Sequence, residues 1–164
     1  MRKILLLTFV ATALAFSGCS KDNNDDDIQQ TFFVHLYKTY LWNGVYDQEE
    51  LIDNGFVYLF DANGKTVDDE KSKITVVKNG EITYSDGSTS KPVQVTKFSP
   101  GIFTFENIQN GNYLIWATYN PMGGARFYSS YKSIVVNSDI SHTTEKKVFK
   151  TKFEDSGIYI IQSW

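Results

Sequence analysis

A single cysteine, two histidines and a shortage of positive charge exclude much of what this 164-residue chain could be. One cysteine cannot cross-link a domain internally, so stability has to come from packing. His35 and His142 lie in unrelated segments, without metal-ligand spacing and without a nucleophile at hand. No G-x-S-x-G elbow, phosphate-binding loop or dinucleotide fingerprint occurs; Gly123-Gly124 is only a glycine pair. Paired carboxylates suited to glycoside hydrolysis can be picked from any acidic chain, so their presence says nothing here. Beyond Arg2 and Lys3 the chain holds 14 basic against 19 acidic residues. A surface of that sign does not suit nucleic acid, whose phosphates call for basic groups. These absences point to a protein that is not an enzyme and needs no cofactor or metal.

What is present begins with a leader. Arg2-Lys3 precedes an apolar run from Ile4 to Phe16, about 13 residues where a membrane span needs roughly 20. Residues 1–18 therefore read as a secretory signal, with the only cysteine, Cys19, at its end. Residues 19–30 form a polar tether. Ser20, Lys21, Asp22, Asp25, Asp26 and Asp27 dominate it, and a like-charge block of this kind cannot pack. The Asp25–Asp27 run lacks the alternation and central glycine of a calcium loop.

Residues 31–164 read as one all-β domain. Over the full 164 residues hydrophobic residues make up 41% and aromatics 15%, and most of the aromatics fall in short segments. Phe32, Val34 and Leu36 share one face of a first long strand, with Phe33, His35 and Tyr37 on the other. Residues 43–55 carry Asp47, Glu49, Glu50 and Asp53 and read as a solvated loop. Phe56 to Asp61 is a strand closed by Ala62-Asn63-Gly64. Asn79-Gly80 between Ile74–Val77 and Ile82–Tyr84 predicts a hairpin, one that is peripheral and can be shortened at little cost. Val93 and Val95 begin a strand that ends at Ser99-Pro100-Gly101. Gly101 to Tyr119 is the centre: strand, connection pinned by Ile108, a turn at Asn110-Gly111, strand. After a loop at Asn120 to Gly124, strands follow over 127–136, 143–150 (an edge) and 158–164. No helix of more than two turns is expected. Seven to nine short strands with turns between them make a Greek-key β-sandwich with an inserted hairpin.

Two resemblances add to this. Phe16-Ser17-Gly18-Cys19 resembles a bacterial lipobox, with Phe16 in place of the usual leucine. An acidic run after the lipidated cysteine is similar to the surface-export signal of Bacteroidetes lipoproteins. Val57-Tyr58-Leu59-Phe60-Asp61-Ala62-Asn63-Gly64 is similar to the V-x-L-Y-D-x-x-G strand of carboxypeptidase regulatory-like, transthyretin-like sandwiches. Phe103 to Ile115 resembles their F-x-F-x-N-L-P-x-G-x-Y-x-L signature, shared with collagen-adhesin B-type domains, with Gln109 in place of proline. The resemblances imply an acylated Cys19, an outer-membrane location facing the exterior, a seven-stranded sandwich and no catalytic residues. Such modules are binding platforms, spacers or anchors. The expected role is a cell-surface binding or accessory module for an extracellular ligand such as a glycan. Trp42, Trp116, Trp164 and ten tyrosines favour it, although core is the commoner fate of any one large aromatic. The alternative is a structural subunit of a surface appendage or envelope complex; a small secreted enzyme ranks below both.

One face calls for an explanation. If Val57, Leu59, Tyr113, Ile115 and Ala117 point to the core, then Tyr58, Phe60, Leu114 and Trp116 gather on the opposite face. A patch of that size is rarely bare. Residues 65–100 or the C-terminal strand cover it, or a ligand or partner does; cover by the chain itself is the favoured reading.

Overall fold

The computed structural model describes residues 30–97, 100–121, 124–137, 144–152 and 154–164. Cys19, Ser20, Lys21, Asp22, Asp25, Asp26 and Asp27 lie outside the described residues, as do Ser99, Met122, Gly123, His142 and Thr143. Among the described residues no helix is long and apolar enough to cross a membrane.

The alternation at the start of the chain produces β1 (Gln30–Trp42), whose burial switches residue by residue through Leu36. Asn43 and Gly44 both take positive φ, 48° and 80°. That geometry makes a two-residue hairpin, which returns the chain as β2 (Val45–Tyr46), with Trp42 opposite Val45. β3 (Glu50–Leu51) then pairs with Tyr37 and Lys38. Residues 43–55 are thus not simply a solvated loop: two short strands extend the sheet, and Ile52 is buried in the core.

β4 (Gly55–Asp61) starts the second sheet. The chain then departs from the expected hairpin. Residues Asp69–Asn79 form a three-turn helix, α1, and Gly80 is its left-handed C-cap at φ 68°. The start signals are ordinary ones. Asp68 accepts a hydrogen bond from the Lys71 amide at 3.1 Å, Asp69 and Glu70 fill the first turn, and Lys78 sits in the last. The β-branched run Ile74-Thr75-Val76-Val77 hid the helix, because tertiary burial of Ser72 and Val76, four residues apart, overrides strand propensity. Replacing Asp68 by Ala should lower the melting temperature by a few degrees, whereas Asn, an equally good cap, should not. Equal melting of the two variants would show that the cap contributes nothing.

β5 (Ile82–Thr83) and β6 (Thr89–Ser90) follow as a small hairpin, then β7 (Gln94–Lys97), β8 (Ile102–Ile108), β9 (Gly111–Tyr119), β10 (Phe127–Val136), β11 (Thr144–Lys152) and β12 (Tyr159–Ile161). The positive φ next to the β8–β9 connection belongs to Asn107, inside β8, at 58°, rather than to Gly111. The C-terminal strand is shorter than the expected 158–164.

The result is an all-β sandwich with one added layer. In the first sheet β1 is central, with β11 parallel on one side and β8, β3 and β2 in succession along the other. The second sheet runs β12-β10-β9-β4-β7. β8 and β9 lie in opposite sheets, so the central stretch crosses from one to the other. Phe32, Val34, Leu36, Val57, Leu59, Phe103, Phe105, Ile115, Ala117 and Phe149 fill the space between the sheets. A second core lies on the outer face of the second sheet, where Phe60, Leu114 and Trp116 meet Val76 of α1, Ile82 and Tyr84. With both faces of β9 covered, every residue from Leu114 to Tyr119 is buried. A strand covered on both sides loses the polar half of its alternation.

The segment between residues 65 and 100 is therefore not peripheral, and cutting it short would expose a core. Tyr58, Phe60, Leu114 and Trp116 lie beneath it, with Ile161 of β12 packed at the edge. Ser72 joins α1 to β5 within the layer, its hydroxyl donating to the Thr83 carbonyl and accepting from the Thr83 amide, both at 2.9 Å.

Candidate functional site at the distal mouth of the sandwich

The inner face of β1 outruns the core. Val34 and Leu36 are fully buried; Tyr40 and Trp42, further along the strand, are 40% and 71% exposed. They form one wall of an open cleft of about 620 Å³ between the ends of the two sheets. Pro121, Ala125, Arg126 and Tyr128 form the opposite wall, and Asp47, Thr151 and Lys152 complete it.

The floor is a hydrogen-bonded platform. The Tyr40 and Tyr119 hydroxyls meet at 3.1 Å across the gap between the sheets. Tyr119 is buried and packs on Tyr128 and Phe149, with ring centroids 6.2 and 5.8 Å apart. Burial, then the bond to Tyr40, pushes its phenol far above the usual range. Tyr128 is pushed up to about 12, first by burial and then by donating to Asp155, its hydroxyl 3.0 Å from that carboxylate. The Lys152 amide donates to the same Asp155 oxygen at 2.9 Å. Thr39 donates to the Asp47 carbonyl at 2.7 Å, and Thr151 to the Thr39 carbonyl at 3.1 Å. The Tyr119 and Tyr128 phenols stay protonated at neutral pH and act as hydrogen-bond groups, not as bases.

Other residues singled out by the sequence lie elsewhere. His35 is on the opposite face of β1, in register with Lys146 and Ile102. Three of the four acidic residues of 43–55 pair with lysines: Glu50 and Asp53 face Lys38 at 3.8 and 3.7 Å, and Glu49 pairs with Lys146 at 2.5 Å; the fourth, Asp47, lines the cleft. Among the described residues no group of three His, Cys, Asp or Glu is placed to hold a metal. Of the three tryptophans, Trp116 is core and Trp164 packs against the first core. Trp42 stands out in solvent. Nothing in the aromatic content separates Trp42 from the other two, and the cleft has no motif of its own. Asn43-Gly44, directly after an aromatic strand end, is the one sequence signal for an exposed hairpin tip there.

Lys147 is a second group without an obvious structural purpose. It points inward from β11, is 5% exposed, and donates to the Ser163 carbonyl. Burial, and then the charge of Lys150, lowers its ammonium pKa to about 8. An unfolded lysine titrates near 10.4. Between these values the unfolded chain binds the extra proton, so stability rises with pH, by up to about 1.4 kcal/mol per unit. Below pH 8 both states are charged and the full burial penalty applies. Denaturant titrations should therefore show wild type gaining stability relative to Lys147→Met with this slope between about pH 8 and 10. Parallel curves would show that the ammonium is solvated.

No protein-family model matches the chain, and no curated protein matches it. Among solved structures it is similar to the minor pilin GBS52 of Streptococcus agalactiae, at 15% identity and TM-score 0.37, covering 79% of this chain and 47% of the pilin. It is also similar to a candidate carbohydrate-binding protein of Pseudomonas aeruginosa, at 18% identity and TM-score 0.36, covering 75% and 88%. A third is BcpA, the major pilin subunit of Bacillus cereus, at 16% identity and TM-score 0.36, covering 73% and 29%. The chain spans about half of the first pilin and under a third of the second. Likeness of this extent carries no argument about what the chain does.

Proposed function

We propose that this chain is a lipid-anchored, non-catalytic module on the outside of the outer membrane that holds an extracellular glycan in its distal mouth. The orientation of β1 carries the reading. The strand begins at Gln30, where the acidic tether would attach, and ends 12 residues later at Trp42. At about 3.3 Å per residue the cleft stands roughly 40 Å from the attachment point. A tether through Cys19 then presents the mouth away from the membrane.

The lining suits a sugar. Ligand sites combine apolar and aromatic walls with a few placed polar groups. Trp42 and Tyr40 offer ring faces to the C–H surface of a pyranose, while Asp47, Arg126, Thr151 and Lys152 offer groups to its hydroxyls. The rival reading, an assembly subunit, draws on the same hairpin. Trp42 and Val45 project at 71% and 70% exposure, and Trp, Tyr and Arg are frequent anchors of protein interfaces. Strand addition supports it less. Gln162 clamps the Lys150 backbone of edge strand β11 from both sides, at 3.1 and 2.5 Å. On the other side Gln94 of β7 donates to the Glu106 carbonyl of β8 at 2.8 Å.

Pull-down from surface-labelled cells separates the readings: a retained oligosaccharide supports the module, a stoichiometric protein partner the assembly subunit. Trp42→Ala should abolish retention with stability changed by no more than about 0.5 kcal/mol, as for other exposed sites. Unchanged retention would move the site elsewhere. Cys19→Ala should shift the protein into soluble fractions, because each buried acyl CH₂ contributes about 0.8 kcal/mol. Continued membrane association would remove the lipid anchor from the account.

A further inference from the structure

Helix α1 covers only part of the outer face of the second sheet. Between its C-terminal end and the rim at Asn54 and Asn120 lies a groove of about 410 Å³. Phe56, Tyr58 and Phe127 supply aromatic surface to it, and Asn54, Thr118 and Asn120 supply polar groups. None of its lining residues is charged.

The groove is built, not incidental. Phe56, Tyr58 and Phe60 form a ladder along β4, with ring centroids 6.2 and 6.1 Å apart. Phe127 stacks on Tyr159 at 5.8 Å. The Asn120 amide donates to the Asn54 carbonyl at 3.3 Å and ties the two rims together. The Tyr58 hydroxyl makes no hydrogen bond among the described residues, and burial raises its pKa. A ligand that fits has a flat apolar face, hydrogen-bonding edges and no charge. A neutral pyranose has all three.

The groove and the mouth share a wall one strand thick. At the end of β9 successive residues alternate between them. Thr118 lines the groove while Tyr119 packs under the mouth, and Asn120 lines the groove while Pro121 lines the mouth. We infer that the groove is a second sugar subsite, and that the ligand is a glycan chain crossing the Asn120–Pro121 rim rather than a single sugar. This rests on the reading of the mouth as a glycan site. It adds that recognition depends on chain length, because two linked contacts on one ligand reinforce each other through effective concentration.

The test is calorimetry of the full-length protein in detergent with di- and hexasaccharides of glucose, mannose and N-acetylglucosamine. At least one hexasaccharide should bind on the order of 10²-fold tighter than its disaccharide. Asn120→Ala and Phe127→Ala should each bring hexasaccharide binding down towards the disaccharide level. Tyr58→Phe, which removes only a hydroxyl, guards against loss of fold, as does the melting temperature of each variant. Trp42→Ala should weaken both lengths. Equal affinity for both lengths, or a length gain that survives the groove substitutions in folded protein, overturns the subsite and leaves the mouth standing. Failure of every saccharide to bind removes both.

Discussion

Trp116→Ala is expected to destabilise the protein by about 3–5 kcal/mol, the usual cost of truncating a buried large aromatic. In a domain of this size that is a fall of about 10–20 °C in melting temperature. Trp116 is fully buried. Its ring lies flat on Tyr131, 5.0 Å between centroids and 5° between planes, and Leu114 and Val76 belong to the same cluster. Removing it empties the space between the second sheet and α1. Its indole N–H has no partner among the described residues, so the ring, not the polar atom, stabilises the layer. Trp116→Phe should consequently cost much less than the Ala variant. A Trp116→Ala protein that melts within a degree or two of wild type would mean that α1 is not docked on this face.

Gly101→Ala should cost about 2–5 kcal/mol, from two independent terms. Gly101 has φ +65°, where an L side chain is strained. An added Cβ would also lie 2.7 Å from the Leu36 carbonyl oxygen and 2.6 Å from Leu51 Cδ2. The tip of Leu51 can shift, but Leu51 Cβ, at 2.8 Å, and the Leu36 carbonyl cannot: the carbonyl accepts from the Ile52 amide at 3.1 Å, and the Leu36 amide donates to Gly101 at 2.7 Å. Gly101 occupies the junction where β8 gives way to β3 along β1. Chemical denaturation checks the value, and a loss below about 1 kcal/mol would show that this junction relaxes freely.

How much of this was legible depended on which faces are buried. The first core was readable because the residues that β1, β4 and β8 turn towards it, Phe32, Val34, Leu36, Val57, Leu59, Phe103 and Phe105, recur at every second position as the sheet requires. The helix was not readable, because its signals compete with a strong turn signal. Asn-Gly occurs five times in the chain. At Asn43-Gly44 it makes the tight hairpin, with both residues at positive φ. At Asn79-Gly80 it ends α1, and at Asn110-Gly111 it only enters β9. The dipeptide permits a left-handed residue; the tertiary partner decides whether a strand, a helix end or a plain connection forms around it. Propensity alone predicts the hairpin at the fourth occurrence, whereas the first makes it. The mouth is hidden for a related reason. Beyond Lys38, which pairs with Glu50 and Asp53, Tyr40 and Trp42 return to the parity of the core face of β1, and only the length of the opposite sheet decides that they outrun the core. The cover over Tyr58, Phe60, Leu114 and Trp116 could be inferred in kind, since that face was too apolar to be bare, but not in form.

The most direct test of the account is whether a bound glycan shields Trp42. In a Trp164→Phe variant the remaining tryptophans are Trp42, 71% exposed, and Trp116, fully buried. Iodide then quenches essentially Trp42 alone. Saturation with the saccharide recovered from surface-labelled cells should protect this tryptophan from iodide, with half-protection at the dissociation constant found by calorimetry. Calorimetric binding that leaves iodide quenching unchanged would place the ligand away from the distal mouth and contradict the account.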